Sequence, residues 1–299
     1  CCFNVLLPLD KKTRSKMATE KILVPTDFTH VSDIAIEHAK AVAMATESEV
    51  YVIHIVEHKK NLNEARLKLN ALKERVKKTL DLDVEVVGRI GNIYEDIDSA
   101  AVEMDASLII MGTHGMQGMQ FITGSRALKI VTSSSVPFII TQEKGVGPNA
   151  YDDIIVPLDL HKETKQKLKL AAKMAHYFKS RVHLISPGEK DEYLRNQLER
   201  NINFATNFFK EEGLECTTKI TESASSTSAF VKDVVKHSAV VTGDLIAIMN
   251  IPDNGLFGIF GTNYAQKMIE NSSQIPVMVL NPVETHILTY SSFGGYIPS

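Results

Sequence analysis

Apolar residues along the 299-residue chain fall into two kinds of run. Short, nearly unbroken stretches such as Ile22-Leu23-Val24, Leu108–Met111 and Val136–Thr141 suit strands buried on both faces. Between them the apolar positions recur at helical spacing, as with Ile34, His38 or Ala39, Val42 and Ala43 within residues 31–46. The pattern predicts strands at Ile22-Leu23-Val24, ended by Pro25 with Asp27 at its carboxyl end, and over Glu49–Val56, Asp83–Gly88, Leu108–Met111 and Val136–Thr141. It predicts helices over 31–46, 59–80, 92–104 and from Gly124 onward. Strands alternating with helices imply parallel βαβ units in an open sheet covered on both faces. In such sheets a ligand sits outside the carboxyl ends of the strands, where strand order reverses.

The pattern then begins again. Asp153–Asp159 (DIIVPLD) answers Lys21–Asp27 (KILVPTD) at an offset of 132 residues. Predicted helices at 162–177, 189–212 and 226–238 follow, with strands at 181–186, 214–221 and 245–249. Ile275–Leu280 answers Val136–Thr141, each with Pro in second place. Agreement at this many points marks a structural repeat. The expected division is an extension at 1–16, a first domain at 17–143, a linker at 144–150 (KGVGPNA), a second domain at 151–283 and a tail at 284–299. The two fifth strands are the expected contact between the domains, since each would otherwise be a bare edge.

Composition and charge narrow the function classes. A net charge of −3 gives no basic balance for nucleic acid. No run approaches the ~18 apolar residues that suit a membrane span. Of three cysteines, Cys1 and Cys2 are adjacent and Cys216 is remote, so they form neither a disulfide framework nor a metal-ligand spacing. That usage fits a reducing, cytoplasmic compartment. Residues 1–16 lack the basic-then-apolar order of a secretory signal and are expected to be extraneous or disordered.

The chemistry concentrates after the fourth strand. Gly112, Gly115 and Gly124-Ser125 make the pattern G-x2-G-x8-G-S, in which a strand breaks into glycines and restarts as a helix. Glycine lets backbone approach a phosphate, and a helix start offers unpaired N–H groups and a positive dipole end. Ser125 adds a hydroxyl donor. No Lys follows the last Gly, so this is not a P-loop, and the spacing is not that of the dinucleotide fingerprint.

With the strand KILVPTD, this loop resembles the ATP-binding branch of the universal stress protein family, whose pattern is G-x2-G-x9-G-S/T. The resemblance covers nearly the whole chain, which is similar to a tandem member. It implies an α/β fold of two tandem, doubly wound, five-stranded parallel-sheet domains, Rossmann-like and akin to the adenine nucleotide alpha-hydrolases, packed as a pseudo-dimer. It implies strand order 3-2-1-4-5 and a nucleotide site built from Pro25, Thr26, Asp27, Ile55, Met111, Gly112, His114, Gly115, Gly124, Ser125 and Arg126. Asp27 would meet the adenosine part, against the bland role of a turn or capping carboxylate. Asp27 and Ser125 could share Mg²⁺ bound with ATP.

In the second unit Asn250 is expected in the place of Gly112 and Asp253 in that of Gly115, while Gly261-Thr262 keeps the helix start. A Cβ at both places, and a carboxylate beside a phosphate, predict that only the first unit binds nucleotide. Asp159, lacking glycine partners, is expected to be a turn carboxylate. His54 and His58 lie four apart, but His54 is in a strand, so no shared helical face holds a metal. His54 is expected under the sheet end.

No nucleophile-base pair, paired acids or lysine poised on a γ-phosphate is recognisable, so at most slow hydrolysis is expected. The expected function is a nucleotide-responsive stress or regulatory module that binds ATP or a related adenine nucleotide. The alternatives are an interaction scaffold without nucleotide, favoured by the eight-residue spacer, and a weak ATPase. No membrane or nucleic-acid partner is expected, and a homodimer of tandem chains is left open.

Overall fold

A computed structural model describes residues 19–113, 124–132, 134–158, 160, 164–223, 226–251 and 263–282. The first half runs β1 (Lys21–Pro25), α1 (His30–Thr46), β2 (Glu49–Val56), α2 (Leu62–Leu80), β3 (Val84–Ile90), α3 (Ile93–Glu103), β4 (Ala106–Gly112), α4 (Gly124–Thr132) and β5 (Phe138–Thr141). The second runs β6 (Asp153–Pro157), α5 (Thr164–Phe178), β7 (Arg181–Gly188), α6 (Glu192–Glu211), β8 (Cys216–Ser223), α7 (Thr227–Val240), β9 (Leu245–Met249), α8 (Tyr264–Ile269) and β10 (Val277–Leu280).

All ten strands form one sheet in the order β3-β2-β1-β4-β5-β10-β9-β6-β7-β8. Each half therefore has the expected order 3-2-1-4-5. Neighbours within a half are parallel, and β5 pairs antiparallel with β10 through Ile140–Val277, Ile139–Met278 and Phe138–Val279. The two fifth strands thus cover one another's edge, as expected. Both start one residue after a proline, which has no N–H for the ladder. The prolines still accept, from Ile109 N to Pro137 O and from Ile246 N to Pro276 O.

Strand alternation divides the core into two layers. Ile22 and Val24 of β1 join one buried cluster with Ala39, Leu69, Leu168 and Phe209. Leu23, between them, joins the other with Ile97, Ala127, Phe230 and Met268. Both faces of β1 are thus dry, which is why its sequence is an unbroken apolar run. Both clusters also run through the two halves, so the join is core rather than a wet boundary. Truncating Leu23 to Ala would cost about 2–5 kcal/mol.

Helix ends follow local chemistry. Asn92, Asp191 and Ser226 each cap a helix, their side chains accepting from Tyr94 N, Leu194 N and Ala229 N. The expected helix 59–80 differs in detail: a single 3₁₀ turn over Lys59–Asn61 precedes α2. β3 also runs two residues further than expected, because His54–Gly88, Ile55–Arg89 and Val56–Ile90 continue its ladder with β2. Among the described residues, no helix is long and apolar enough to cross a membrane.

Candidate functional site

β1 lies between β2 and β4, so the chain turns one way to β3 and the other way to β5. β1 pairs with β2 as far as Pro25–Ile53, but with β4 only as far as Leu23–Ile109. Strands that part at their carboxyl ends leave a crevice at the reversal of order. A cavity of about 710 Å³ lies there. Pro25, Thr26, Asp27, Ile55, Met111 and Gly112, six of the sequence-predicted residues, line it together.

The turn after β1 is held by its own side chains. Thr26 N donates to Ile53 O at 2.8 Å. Thr26 Oγ1 accepts from Phe28 N at 3.0 Å. Ser32 Oγ donates to Thr29 O, so in the 3.0 Å contact between the two hydroxyls Thr26 is the donor. Asp27 Oδ1 accepts from Thr29 N at 3.0 Å and from Thr29 Oγ1 at 2.5 Å. This carboxylate therefore closes the turn that leads into α1 while also lining the cavity. Its Oδ2 takes no bond among the described residues.

His54 sits at the cavity rather than beneath the sheet end. Its Nδ1 lies 2.7 Å from Thr26 O. A carbonyl can only accept, so Nδ1 carries the hydrogen and Nε2 of the neutral ring is an acceptor. Phe28, at φ 64°, packs its ring 4.5 Å from the His54 ring.

Gly112, besides lining the cavity, is needed by the packing of the protein itself. A Cβ there would fall 2.3 Å from Val31 O and 2.6 Å from Val31 C. The glycine lets the first turn of α1 rest on β4, so its open side is used by the protein itself. A bulky residue would unseat α1 as well as any ligand.

α4 opens at Gly124 with Ser125 and Arg126 in its first turn, so its N-terminus follows the glycine loop as expected. His114 and Gly115 lie outside the described residues, as do Asp159, Asp253 and Gly261-Thr262. His30 starts α1 and His58 precedes the 3₁₀ turn, so the histidines of this end are on separate elements.

Sequence reasoning missed the third wall. Gly91, Asn92, Ile93 and Tyr94, from the β3–α3 turn, also line the cavity. Asp96 organises that turn: Oδ2 accepts from Asn92 N at 2.7 Å and Oδ1 from Arg89 Nε at 2.8 Å. A Cβ at Gly91 would lie 2.0 Å from Asp96 Oδ2, so a larger residue there would displace the carboxylate that organises the turn. The guanidinium continues to Glu103 through both Nη atoms. Hydrogen bonding to Arg89 lowers the Glu103 pKa. On the α4 side, Lys129 Nζ stands 4.6 Å over the Tyr94 ring. The available signal was Gly-Asn before a helix with an acid four residues after the Asn.

The second half differs at the same place. Ile109 pairs with Phe138 and Ile246 with Val277. Continuing both ladders, Gly112 faces Thr141 and Met249 faces Leu280. Met249, not Asn250, therefore occupies the position of Gly112. Asn250 is the counterpart of Thr113, each donating its N–H to the fifth strand, at 2.9 Å to Leu280 O and 2.8 Å to Thr141 O. The expectation slipped by one because counting from the apolar run cannot see the ladder register. The Asn250 side chain turns to Asn281 Oδ1 and Thr132 Oγ1.

Residues 18–142 match the profile of the Universal stress protein family. A universal stress protein of Methanocaldococcus jannaschii is 26% identical over 155 residues, covering 42% of this chain and 96% of that one. The fold resembles that of a universal stress protein from Archaeoglobus fulgidus, with TM-score 0.65, 18% identity and coverage of 88% and 96%. It also resembles a functionally unknown protein from Pseudomonas aeruginosa, with TM-score 0.62, 18% identity and coverage of 89% and 93%. The first half is thus similar in sequence to the universal stress proteins, and most of the chain shares the fold of these solved structures.

Proposed function

We propose that this universal stress protein relative binds an adenine nucleotide in its first half, with ATP the favoured form. The single observation that carries the reading is the cavity of about 710 Å³ at the strand-order reversal, within the range usual for small-molecule sites. Its chemistry is divided as a nucleotide requires. Ile53, Ile55, Ile97 and Met111 offer apolar walls for a base. Asp27 Oδ2 and His54 Nε2 are acceptors suited to ribose hydroxyls or an exocyclic amine. The N-terminus of α4 follows the glycine loop, where phosphates would meet N–H groups and a positive dipole end. Mg²⁺ arriving with ATP would draw on Asp27 and Ser125.

Binding is the proposed activity, with the nucleotide as signal. A ligand preferring one conformation or assembly shifts the equilibrium by its differential affinity. Calorimetric titration with ATP, ADP and AMP, with and without Mg²⁺, tests the reading. Saturable binding that disappears in Ile55→Glu, a cavity-wall change outside the main core, is expected. Absence of binding by the native chain would leave the interaction-scaffold reading instead.

A further inference from the structure

We propose that the second half offers no second nucleotide site because its own side chains fill the corresponding crevice, with the Lys167 ammonium lodged at the switch point. The inference rests on the nucleotide reading of the first half.

The two halves can be compared position by position. β6 lies between β7 and β9 as β1 lies between β2 and β4. It pairs with β9 only through Ile154–Leu245 and Ile155–Ile246, so Pro157 lies beyond the last rung. Its counterpart Pro25 lines the first-half cavity. The surrounding residues have changed together. Leu158, fully buried, stands for Thr26. Ser186 stands for His54 and performs the same anchoring, its Oγ donating to Leu158 O at 3.3 Å as His54 donates to Thr26 O.

Two of the changes add bulk. Met249 replaces Gly112, where in the first half even a Cβ would lie 2.3 Å from Val31 O. Lys167 replaces Ala35 on the helix following the first strand. Its Nζ donates to Pro157 O at 2.5 Å. A buried methyl group has become a four-carbon stem whose charged end reaches Pro157 O, and the counterpart of that proline, Pro25, lines the first-half cavity. An exposed ammonium at this point could recruit a phosphate. Lys167 is only 5% exposed and Met249 5%, so both are covered by protein rather than presented to a ligand.

Two measurements on the full chain decide the matter. Photolabelling with 8-azido-ATP and peptide mapping, alongside saturation binding, should give one nucleotide per chain with label confined to the first half. Two per chain, or label near Pro157, Lys167 or Met249, would overturn the proposal and leave the first site standing. No binding at all would remove the nucleotide reading and this inference with it. Independently of nucleotide, acylation of the native chain should modify Lys167 at least about tenfold more slowly than exposed Lys169 on the same helix, since modification needs local opening. Equal rates would show an open ammonium and overturn the filled crevice.

Discussion

Gln142 and Asn281 hold each other's halves. Each is the first residue after its fifth strand, and each sends its side-chain amide across the join. Gln142 Nε2 donates to Ile269 O at 2.9 Å and Asn271 O at 3.1 Å, at the end of α8. Asn281 Nδ2 donates to Val131 O and Ser134 O, both at 2.6 Å, at the end of α4. The last carbonyls of a helix have no partner within it, and here each half supplies the missing donor to the other. The helix that opens at the candidate phosphate side is therefore anchored at its far end by the second half.

Replacing either amide by Ala leaves two carbonyls at a covered helix end without their donor. The expected cost is about 1–3 kcal/mol for each variant. Urea unfolding followed by circular dichroism measures it. Because the two clusters of the core run through both halves, a single shared transition should shift. Separate transitions of the two halves would show that the join is weaker than its contacts imply.

His38 makes the join sensitive to acid. Its Nε2 lies 3.2 Å from Lys144 O and its Nδ1 2.8 Å from the Tyr151 hydroxyl. The carbonyl requires the hydrogen on Nε2, so Tyr151 donates to Nδ1 in the neutral ring. Burial lowers the His38 pKa to about 4, and the charge of Lys144 adds to the effect. Burial also raises that of Tyr151. An unfolded histidine has a pKa near ~6.5, so between that value and the folded one the unfolded chain binds the extra proton. Stability from this group is complete above about pH 6.5 and is lost as pH falls through about 4. The full swing is about 3 kcal/mol. Unfolding free energies of native and His38→Phe chains between neutral and mildly acid pH should differ most at the neutral end and converge toward acid. Parallel curves would remove His38 from the account.

Gly112→Ala is expected to act on the fold first. The new Cβ meets backbone of Val31 rather than a flexible side-chain tip, so α1 has to move. Overpacking of this kind costs about 1–3 kcal/mol. Thermal unfolding should register the loss with no nucleotide present. If stability is unchanged and only nucleotide binding falls, the glycine serves the ligand alone.

Much of this architecture is legible in the pattern of apolar positions. Runs such as Ile22-Leu23-Val24 can be dry on both faces only in a covered sheet, and the matching prolines Pro137 and Pro276 mark the paired fifth strands. The glycine pattern points to the end of β4 where the cavity lies. Three features escape the sequence for physical reasons. The place of Met249 depends on hydrogen-bond register, which a one-residue slip hides. The demand at Gly112 comes from Val31, distant in sequence. The β3–α3 wall depends on how Asp96 folds back on Asn92, and composition does not encode that geometry.

That wall carries the last prediction. Asp96 joins Asn92 N and Arg89 Nε, the start of α3 and the end of β3, in one carboxylate. Removing it as Asp96→Ala frees the turn whose residues line the cavity. The half-buried charge-assisted bonds make a stability loss of about 1–3 kcal/mol the expected outcome, with weaker nucleotide binding beside it. Glu103→Ala is the control. Glu103 pairs with the same guanidinium but is exposed and holds no backbone of the turn. A solvent-exposed pair adds little to stability, so this variant should bind nucleotide as the native chain does. If both variants weaken binding equally, the charge of the Arg89 network acts on the ligand directly. If only Asp96→Ala does, the carboxylate works by shaping the wall.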